Sequence, residues 1–493
     1  MKKVLSLLLA LSLLATMCLS VVSAQADEPI KIIWKTVCPA DAPNDQAKIV
    51  EAANNYSAEK IGVVIELQFL NETNLALDMQ TGAEWDLSMA DPGGNINFDR
   101  YALEGYFADL TDLLLTETPD LFATMDGKFW EATAFDGRIY GVPVKKDMAA
   151  EIFFRIDVGY YEDTLGMEVP EEMKFEDIDP YLAAYKENRP DEYPLPLSRG
   201  GLTHYNGFLQ QIMGRTLVIP YYAVGTDLET TIIPWYESEE YLNRLRLLNK
   251  WYTLGYITPD AATVETLPAT VLSSVRSGQA WTGYKGWSNF GGLKVDLSRY
   301  DGPFMSRQTV QGGVHTINAG SSAEKQVAAL KYIELLSTDT YFRDILAYGV
   351  EGEHFEYLEN GTVLRTAYGK ENYNTTGWMY TTGTYVSASV ESSEDEEGNI
   401  TLADPELWVK VFEGYENAIV SATKGYVFDR EPVEAEATAV GAVMEKYQYE
   451  MNTGTLNIDE KLPQIKDELE KAGILIVLEE AQRQLDEYLA SVE

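Results

Sequence analysis

The alternation of strands and helices near the start of the chain is the feature that most constrains its fold. Residues 30–37 (IKIIWKTV) have the apolar character of a buried strand. Residues 45–57 carry apolar side chains at i, i+3, i+4 and i+7, which predicts an amphipathic helix. Residues 61–70 read as a second strand and residues 84–90 as a short third one. Strands that alternate with helices predict an α/β architecture, in which helices cover a parallel sheet.

The ends of these strands indicate where a ligand would bind. In such sheets, ligands bind beyond the carboxyl ends of the strands. The first predicted strand ends just before residues 38–40, and the third ends abruptly at the Asp-Pro-Gly-Gly sequence of residues 91–94. Topology alone therefore predicts a cleft beside residues 38–40 and 91–97.

The first 26 residues have the pattern of a secretory signal. Two lysines precede a mostly apolar stretch at residues 4–14, and the sequence AQA at residues 24–26 has the small-x-small pattern of a cleavage site. We therefore expect an exported protein, either extracellular, attached to the cell surface or periplasmic. Cys18 offers an alternative, lipid anchoring, although Met17 stands where lipoprotein signals carry a small residue.

Length and charge narrow the class of protein. A chain of 493 residues predicts two or three domains. The 78 acidic residues outnumber the 38 basic ones, for a net charge of −40. Such a field repels nucleic acid and anionic lipid, and it disfavours anionic ligands. This negative field does not disfavour the binding of a neutral ligand such as a sugar.

Catalytic motifs are sparse. His204, His315 and His354 are the only histidines, and none has the spacing of a metal site with another histidine or a cysteine. The sequence has no GxSxG, HExxH or phosphate-loop motif. We therefore predict no enzyme, no catalytic residue, no metal and no cofactor. A secreted glycan hydrolase stays open as an alternative, since 78 carboxylates make acidic pairs unavoidable.

Residues 393–404 (SEDEEGNITLAD) resemble a calcium loop in part. Gly398 and Ile400 stand at the sixth and eighth positions, as in an EF-hand. Ser393 and Asp404, however, replace the Asp and Glu that such a loop requires at its ends. An acidic β-hairpin tip explains the segment without an ion.

Aromatic side chains are the stronger signal for a ligand. The chain has 31 tyrosines, 16 phenylalanines and 9 tryptophans. Aromatic planes bury the apolar faces of sugar rings, while polar side chains hydrogen-bond the hydroxyl groups. Tyr284, Lys285 and Trp287 follow a predicted strand, and Trp378 lies beside a glycine in a stretch rich in turn residues.

Several segments resemble the extracellular solute-binding proteins of ABC importers for carbohydrates. The moderately specific ones include YGVP at residues 140–143 and SGQA at residues 277–280. A subgroup of the lipoprotein type, with a distinctive helical C-terminal domain, is indicated more sharply by YGVEGEHF at residues 348–355 and by EAQRQL at residues 480–485. Within the first of these two segments we expect His354 to be a packing residue rather than a ligand.

The resemblance implies a two-lobed periplasmic-binding-protein (Venus-flytrap) fold of α/β class, with hinge strands and a helical C-terminal region. We assign residues 27–146 and 301–345 to the first lobe. Residues 147–300 and 346–493, with the C-terminal helical subdomain, are assigned to the second. An oligosaccharide bound between the lobes would favour the closed form, which docks on membrane permease subunits. We expect a monomer.

Candidate ligand residues follow from loop position. They are Asp91 and Asn95 in the first lobe, Asp147 at the hinge, and Tyr284, Lys285, Trp287 and Trp378 in the second lobe. We expect the two tryptophans to stack on sugar rings and the two aspartates to bind hydroxyl groups. A binder of peptides or amino-acid derivatives on the same fold is an alternative. Such a binder would use Arg199, Lys285 and Arg307 for ligand termini.

Overall fold

The computed structural model describes residues 28–37, 42–92, 94–146, 148–202, 204–266, 272–276, 287–290, 293–373, 389–394, 398–423 and 425–492. The strands are β1 (Ile30–Val37), β2 (Val63–Leu70), β3 (Leu87–Ala90), β4 (Ala134–Phe135), β5 (Arg138–Ile139), β6 (Val142–Pro143), β7 (Ala150–Asp157), β8 (Leu209–Met213), β9 (Leu217–Pro220), β10 (Ile233–Pro234), β11 (Leu272–Arg276), β12 (Trp287–Phe290), β13 (Leu293–Met305), β14 (Val314–Ile317), β15 (Phe355–Tyr357), β16 (Val363–Arg365), β17 (Ser393–Glu394), β18 (Ile400–Thr401) and β19 (Ile419–Val420).

The helices are α1 (Gln46–Ile61), α2 (Glu72–Thr81), α3 (Phe98–Leu103), α4 (Thr111–Thr116), α5 (Pro119–Ala123), α6 (Gly127–Glu131), α7 (Val158–Tyr161), α8 (Asp179–Asn188), α9 (Glu239–Thr253), α10 (Arg307–Val310), α11 (Ala323–Thr338), α12 (Thr340–Tyr348), α13 (Ala367–Asn372), α14 (Leu407–Glu416), α15 (Glu434–Asn452), α16 (Ile458–Ala472) and α17 (Ile474–Val492). Among these described helices, none is both long and apolar enough to cross a membrane.

The first lobe is built on a five-stranded sheet in the order β2-β1-β3-β14-β6. Strand β1 runs parallel to β2 and β3, which confirms the parallel arrangement expected from the alternation of strands and helices. Strand β14 returns antiparallel to β3. Trp34 in β1 is fully buried and packs edge-on against Tyr332 of α11, with ring centroids 5.8 Å apart. Helix α11 thereby covers the sheet.

The second lobe has a core of its own. Strand β7 lies between β11 and β13, both antiparallel to it, and seven of its eight residues are buried. Strands β10-β9-β8 form a second, three-stranded sheet. The C-terminal helices α15, α16 and α17 pack into the same core through residues such as Val440, Ile465 and Leu485.

Within the described residues, three crossings between the lobes lie side by side. Phe304 in β13 pairs with Ala150 in β7 on one side and with Ile419 in β19 on the other. Ser421 N donates to Met305 O at 2.7 Å, which extends the pairing towards the first lobe. The hinge is therefore three hydrogen-bonded segments of backbone.

The packing differs from our assignment of residues 346–493 to the second lobe. Tyr373, Val411 and Tyr415 belong to the buried core of the first lobe, whereas Tyr426 and later residues belong to that of the second. The reason is the third crossing at β19: chain before this strand folds back onto the first sheet, and chain after it packs on the second.

His354 is a packing residue, as expected. Its side chain is fully buried, and Nε2 lies 3.1 Å from Asp45 Oδ2. Val350 N donates to Nδ1 at 3.2 Å. The histidine therefore fastens the 348–355 segment to the start of α1 and takes no part in a cleft.

His315 gives the first lobe a specific sensitivity to acid. It is buried beside Trp34, and this burial, reinforced by the charge of Arg343, lowers its pKa from 6.5 to about 4. The unfolded chain takes up a proton near pH 6.5, whereas the folded chain does so only near pH 4. Protons in this window favour the unfolded state, so stability falls as the pH drops from 6.5 to 4.

We expect His315 to lower the free energy of unfolding by about 2.5 kcal/mol at pH 4.5, relative to its value at pH 7.5. Urea unfolding at pH 7.5 and pH 4.5 measures that loss. The His315→Gln variant should show a smaller difference between the two pH values than the unmodified chain. His204 is exposed, so His204→Gln is the control and should keep the full difference. Equal pH dependence in the two variants would contradict the assignment.

Candidate functional site

A cavity of about 650 Å³ lies between the lobes, beside the hinge. The first lobe, the hinge and the second lobe all contribute to its wall. The described residues that line it are Pro92, Lys146, Ala149, Ala150, Ile152, His204, Asn206, Gly207, Leu209, Gln210, Gln211, Ile212, Tyr221, Ser306, Gln308, Thr309, Gly312, Ser421, Thr423 and Tyr426. A ligand in this cavity would touch both lobes at once, as closure of the cleft requires.

Local structure explains how the first lobe reaches the cavity. Strand β3 runs parallel to β1 and ends at Ala90, so the chain emerges at Pro92 beyond its carboxyl end. Ser306 caps α10, since its Oγ accepts from Thr309 N at 3.2 Å. This short helix follows β13 directly and places Gln308 and Thr309 in the wall.

The second lobe supplies amide and hydroxyl groups at the hinge. Gln210 in β8 is buried, and its Oε1 accepts a hydrogen bond from Ser421 Oγ. Ser421 Oγ in turn accepts from Thr423 N at 3.2 Å. The network joins the floor of the cavity to the segment that follows β19.

Aromatic surface in the cavity comes from Tyr221 and Tyr426. Tyr221 stacks on Phe304, with centroids 4.4 Å apart and planes 10° from parallel. Tyr426 OH donates to Ala481 O at 3.0 Å, which anchors the ring on α17. Both tyrosines are thus held rigidly by the second lobe.

Asp91 and Asn95 lie in the loop after β3. Asp91 accepts from Gly94 N, and its backbone forms a bridge with Asn97. Asn95 is exposed, and its backbone N donates to Glu72. Of this loop, Pro92 is the described residue that lines the cavity. The roles predicted for the two polar residues stay predictions.

The other predicted ligand residues fall largely outside the described part of the chain. Asp147, Tyr284, Lys285 and Trp378 are not among the described residues, and the first of them adjoins the lining residue Lys146. Trp287 begins β12, where its backbone pairs with Val295. Their assignment to stacking and hydroxyl binding stays a prediction.

Sequence reasoning missed most of the described wall. Asn206, Gln210, Ser306, Thr309 and Thr423 come from segments distant in the chain. One local signal was present: the strand sequence LQQIM at residues 209–213 carries two adjacent glutamines, of which Gln210 is buried and Gln211 is exposed. A glutamine at a buried strand position favours a functional wall over a core.

A second cavity of about 500 Å³ meets the first at Ser306 and Ser421. It lies between the first lobe and the end of α17, where Tyr488 and Ser491 line it. Arg307 also lines it and is held by Asp99, with Nη2 and Oδ1 3.1 Å apart.

No group of His, Cys, Asp and Glu side chains suited to a metal is found among the described residues. In the calcium-like segment, β17 and β18 pair antiparallel with Ser393 opposite Thr401. The hairpin predicted there is confirmed.

The comparisons with known proteins agree with this architecture. A carbohydrate ABC transporter substrate-binding protein of Streptococcus pneumoniae serotype 4 is 26% identical over 484 residues, which cover 94% of this chain and 92% of that protein. The crystal structure of the N-glycan transport solute-binding protein NgtS from S. pneumoniae superposes with a TM-score of 0.78 at 24% identity, covering 94% of this chain and 100% of that one. The chain has the fold of the two-lobed solute-binding proteins.

NgtS in complex with Man5GlcNAc superposes less closely on this chain. The TM-score is 0.61 at 24% identity, and the match covers 94% of this chain and 99% of that one. The chain therefore superposes better on the structure named without a glycan than on the complex.

The match to the domain of unknown function (DUF3502) covers residues 422–490. In this chain that segment includes helices α15 and α16 and almost all of α17. Its first residues, Thr423 and Tyr426, line the interlobe cavity. The domain is therefore an integral part of the second lobe and contributes to the cleft.

Proposed function

We propose that this chain is the extracellular solute-binding component of an ABC importer, and that it captures an oligosaccharide between its lobes for delivery to membrane permease subunits. The observation that carries the proposal is the wall of the interlobe cavity, where amide and hydroxyl side chains accompany Tyr221 and Tyr426. Hydroxyl-rich ligands with apolar ring faces match this combination. The relatives named as carbohydrate-binding transport proteins support it.

Two of the three basic residues named for the peptide alternative are engaged outside the cavity, and the third, Lys285, is not among the described residues. Of the basic residues suggested for ligand termini, Arg199 forms an ion pair with Glu265 at 3.2 Å, and Arg307 forms one with Asp99 at 3.1 Å. Neither arginine lines the interlobe cavity. Peptide termini would need charged partners that these residues do not offer.

Several further features belong to the proposal. The protein acts by binding and release, without catalysis, cofactor or resident metal. Residues 1–26 direct export, with lipid attachment at Cys18 as the alternative to cleavage after residue 26. The mature protein is a monomer. Asp91, Asn95, Asp147, Tyr284, Lys285, Trp287 and Trp378 contribute to the cleft in its closed form.

A panel of oligosaccharides and peptides tests the function. A bound oligosaccharide at about 100 times its Kd should stabilise the protein by about 2.7 kcal/mol, measured as a rise in Tm with concentration. Binding should also change tryptophan fluorescence and reduce the radius of gyration in solution scattering as the lobes close.

Two neighbouring tyrosines provide a matched control. Tyr221 lines the cavity, whereas Tyr222 is 53% exposed and does not. Tyr221→Ala should weaken oligosaccharide binding tenfold or more, and Tyr222→Ala should leave it unchanged. A panel in which peptides raise the Tm and no oligosaccharide does would overturn the proposal. Release of reducing ends from a glycan would instead support the hydrolase alternative.

A further inference from the structure

Three residues in the described wall of the interlobe cavity are exposed, so their side chains can reach a ligand. They are His204 and Gln211 in the second lobe and Gln308 in the first. Each side chain, with the imidazole neutral, offers both a hydrogen-bond donor and an acceptor, as a hydroxyl group requires. Lys146, in the same wall, is only 5% exposed and offers donors alone. The accessible groups of the wall therefore suit a ligand that carries hydroxyl groups.

The backbone of His204 has an uncommon conformation. Its φ is +63°, in the left-handed region where a residue with a Cβ is strained. All other described residues with a positive φ are glycines, apart from Asp136. Asp136 is explained by its place, since it forms with Gly137 the two-residue turn between β4 and β5, where Asp-Gly is a preferred sequence. His204 lies in the turn that precedes β8, outside any hairpin of the described chain.

Neighbouring residues hold His204 rigidly. Tyr205 is only 1% exposed, and its carbonyl oxygen accepts from Arg244 Nη1 at 2.8 Å. Gly207 N donates to His204 O at 2.8 Å, which closes the turn. A methyl group at Gly207 would lie 1.7 Å from Ile152 Cδ1, so the turn packs directly on β7. The exposed imidazole is thus carried by a fixed part of the cavity wall.

The path of the chain alone would favour glycine at position 204. Glycine adopts a positive φ without strain, and Gly201, in the same segment, does so at +74°. Strained residues persist where the surrounding structure imposes the conformation, and they cluster in ligand sites. A strained residue whose side chain is exposed in a cavity wall is therefore a position where that side chain itself is used.

We propose that His204 contacts the oligosaccharide directly and determines specificity in the second lobe, with its imidazole hydrogen-bonded to a sugar hydroxyl group. This inference rests on the proposed function and assigns one of its binding residues. Because His204 belongs to the second lobe, its contact forms while the cleft is open. Gln308 adds a contact from the first lobe only as the cleft closes, which favours the closed form.

Replacing His204 separates binding from stability. His204→Gly removes the ring and relieves the backbone strain, so it should unfold at the same temperature as the unmodified chain or at a higher one. It should nevertheless bind about tenfold or more weakly, because the hydrogen bond from the ring is lost. His204→Asn keeps a side chain that tolerates the left-handed conformation, and it should also keep its Tm while binding more weakly.

Asp136→Gly is the matched control. It relieves the other positive φ, of 49°, at a residue that does not line the interlobe cavity, and it should bind as the unmodified chain does. Neutral oligosaccharides of glucose, galactose, mannose and N-acetylglucosamine are titrated into the unmodified chain by calorimetry, and the one that binds most tightly is then titrated into each variant.

The histidines also provide a direct signature of contact. The chain has three of them, and His315 and His354 are only 2% and 0% exposed. In NMR spectra of the chain with isotope-labelled histidine, the ring signal that is missing in His204→Asn identifies His204. Saturation with the same oligosaccharide should shift that signal more than the signals of the two buried rings.

The outcomes separate this inference from the proposed function. Unchanged affinity in His204→Gly, or a ring signal that shifts no more than those of the buried histidines, overturns the inference alone. A lower Tm together with weaker binding in His204→Gly would give the histidine a structural role and would overturn the inference too. An unmodified chain that binds none of the oligosaccharides overturns the proposed function and this inference together.

Discussion

Replacing Arg244 with methionine should destabilise the second lobe by about 3–5 kcal/mol, one of the two largest effects we expect from any single substitution. Arg244 lies in α9 and binds Asp301 of β13 through two hydrogen bonds of 2.6 and 2.7 Å. The two side chains are only 6% and 7% exposed. Removing the cation leaves the Asp301 carboxylate buried without its ion-pair partner.

The surroundings of Arg244 show why no other group compensates. Its guanidinium lies over the rings of Phe208 and Phe175, at 4.3 and 4.7 Å from their centroids, and Nη1 donates to Tyr205 O at 2.8 Å. Methionine fills much of this apolar volume but donates no hydrogen bond. The lost stability should therefore come mainly from the buried, unpaired Asp301 carboxylate and less from lost packing.

Arg246, on the same helix, is the matched control. It forms ion pairs with Glu239 and Asp459, but its side chain is 36% exposed. Arg246→Met should lower the free energy of unfolding by less than about 1 kcal/mol. In urea unfolding, the double variant Arg244→Met with Asp301→Asn should recover part of the loss, because the buried charge is gone. A cost for Arg244→Met no larger than that for Arg246→Met would contradict the argument.

The sequence predicted the parts of the fold that depend on local pattern. The apolar strand at 30–37, the amphipathic helix after it and the second strand are all present in the first lobe. Their boundaries shifted: the helix predicted at 45–57 is Gln46–Ile61. Its actual end is set by Gly62, which adopts the left-handed conformation at φ 68°.

Helix α16 departs from a local rule of sequence. Proline is favoured in the first turn of a helix, but α16 begins at Ile458 and has Pro463 inside it. The side chain of Asn457 accepts from the backbone N of Asp459 and Glu460, which caps the helix more than a turn earlier. Gly473 ends the helix in the left-handed conformation, at φ 98°.

The candidate site was predicted less well, because tertiary structure alone assembles it. Pro92, Lys146, Gln210, Thr309 and Tyr426 meet in one cavity only because three crossings are paired at the hinge. No periodicity or short motif in the sequence predicts that these residues come together. Loop position alone led to Asp91 and Asn95, which lie in the correct loop although the described lining residue there is Pro92.

Replacing Gly454 with alanine should destabilise the docking of the C-terminal helices by about 2–5 kcal/mol. Gly454 lies in the turn between α15 and α16 at φ +69°, where an L-residue with a side chain is strained. A methyl group there would lie 2.2 Å from the Leu248 carbonyl oxygen in α9. Since the obstacle is helix backbone, it cannot move aside as a flexible side chain would. The same turn is held by Asn249, whose Nδ2 donates to Gly454 O at 2.8 Å, and this bond should be lost as well.

Gly255 separates the two causes of this loss. Its φ is +71°, nearly the same, but a methyl group there would meet nothing closer than Lys186 Cε at 3.9 Å. Gly255→Ala should therefore cost only the conformational strain, about 1–2 kcal/mol. Hydrogen exchange should show lost protection across α15, α16 and α17 in Gly454→Ala, and little change there in Gly255→Ala. Equal costs for the two variants would mean that the close approach of the turn to α9 contributes nothing to stability. A larger cost at Gly454 would show that the close contact between this turn and α9 helps to hold the C-terminal helices in the second lobe.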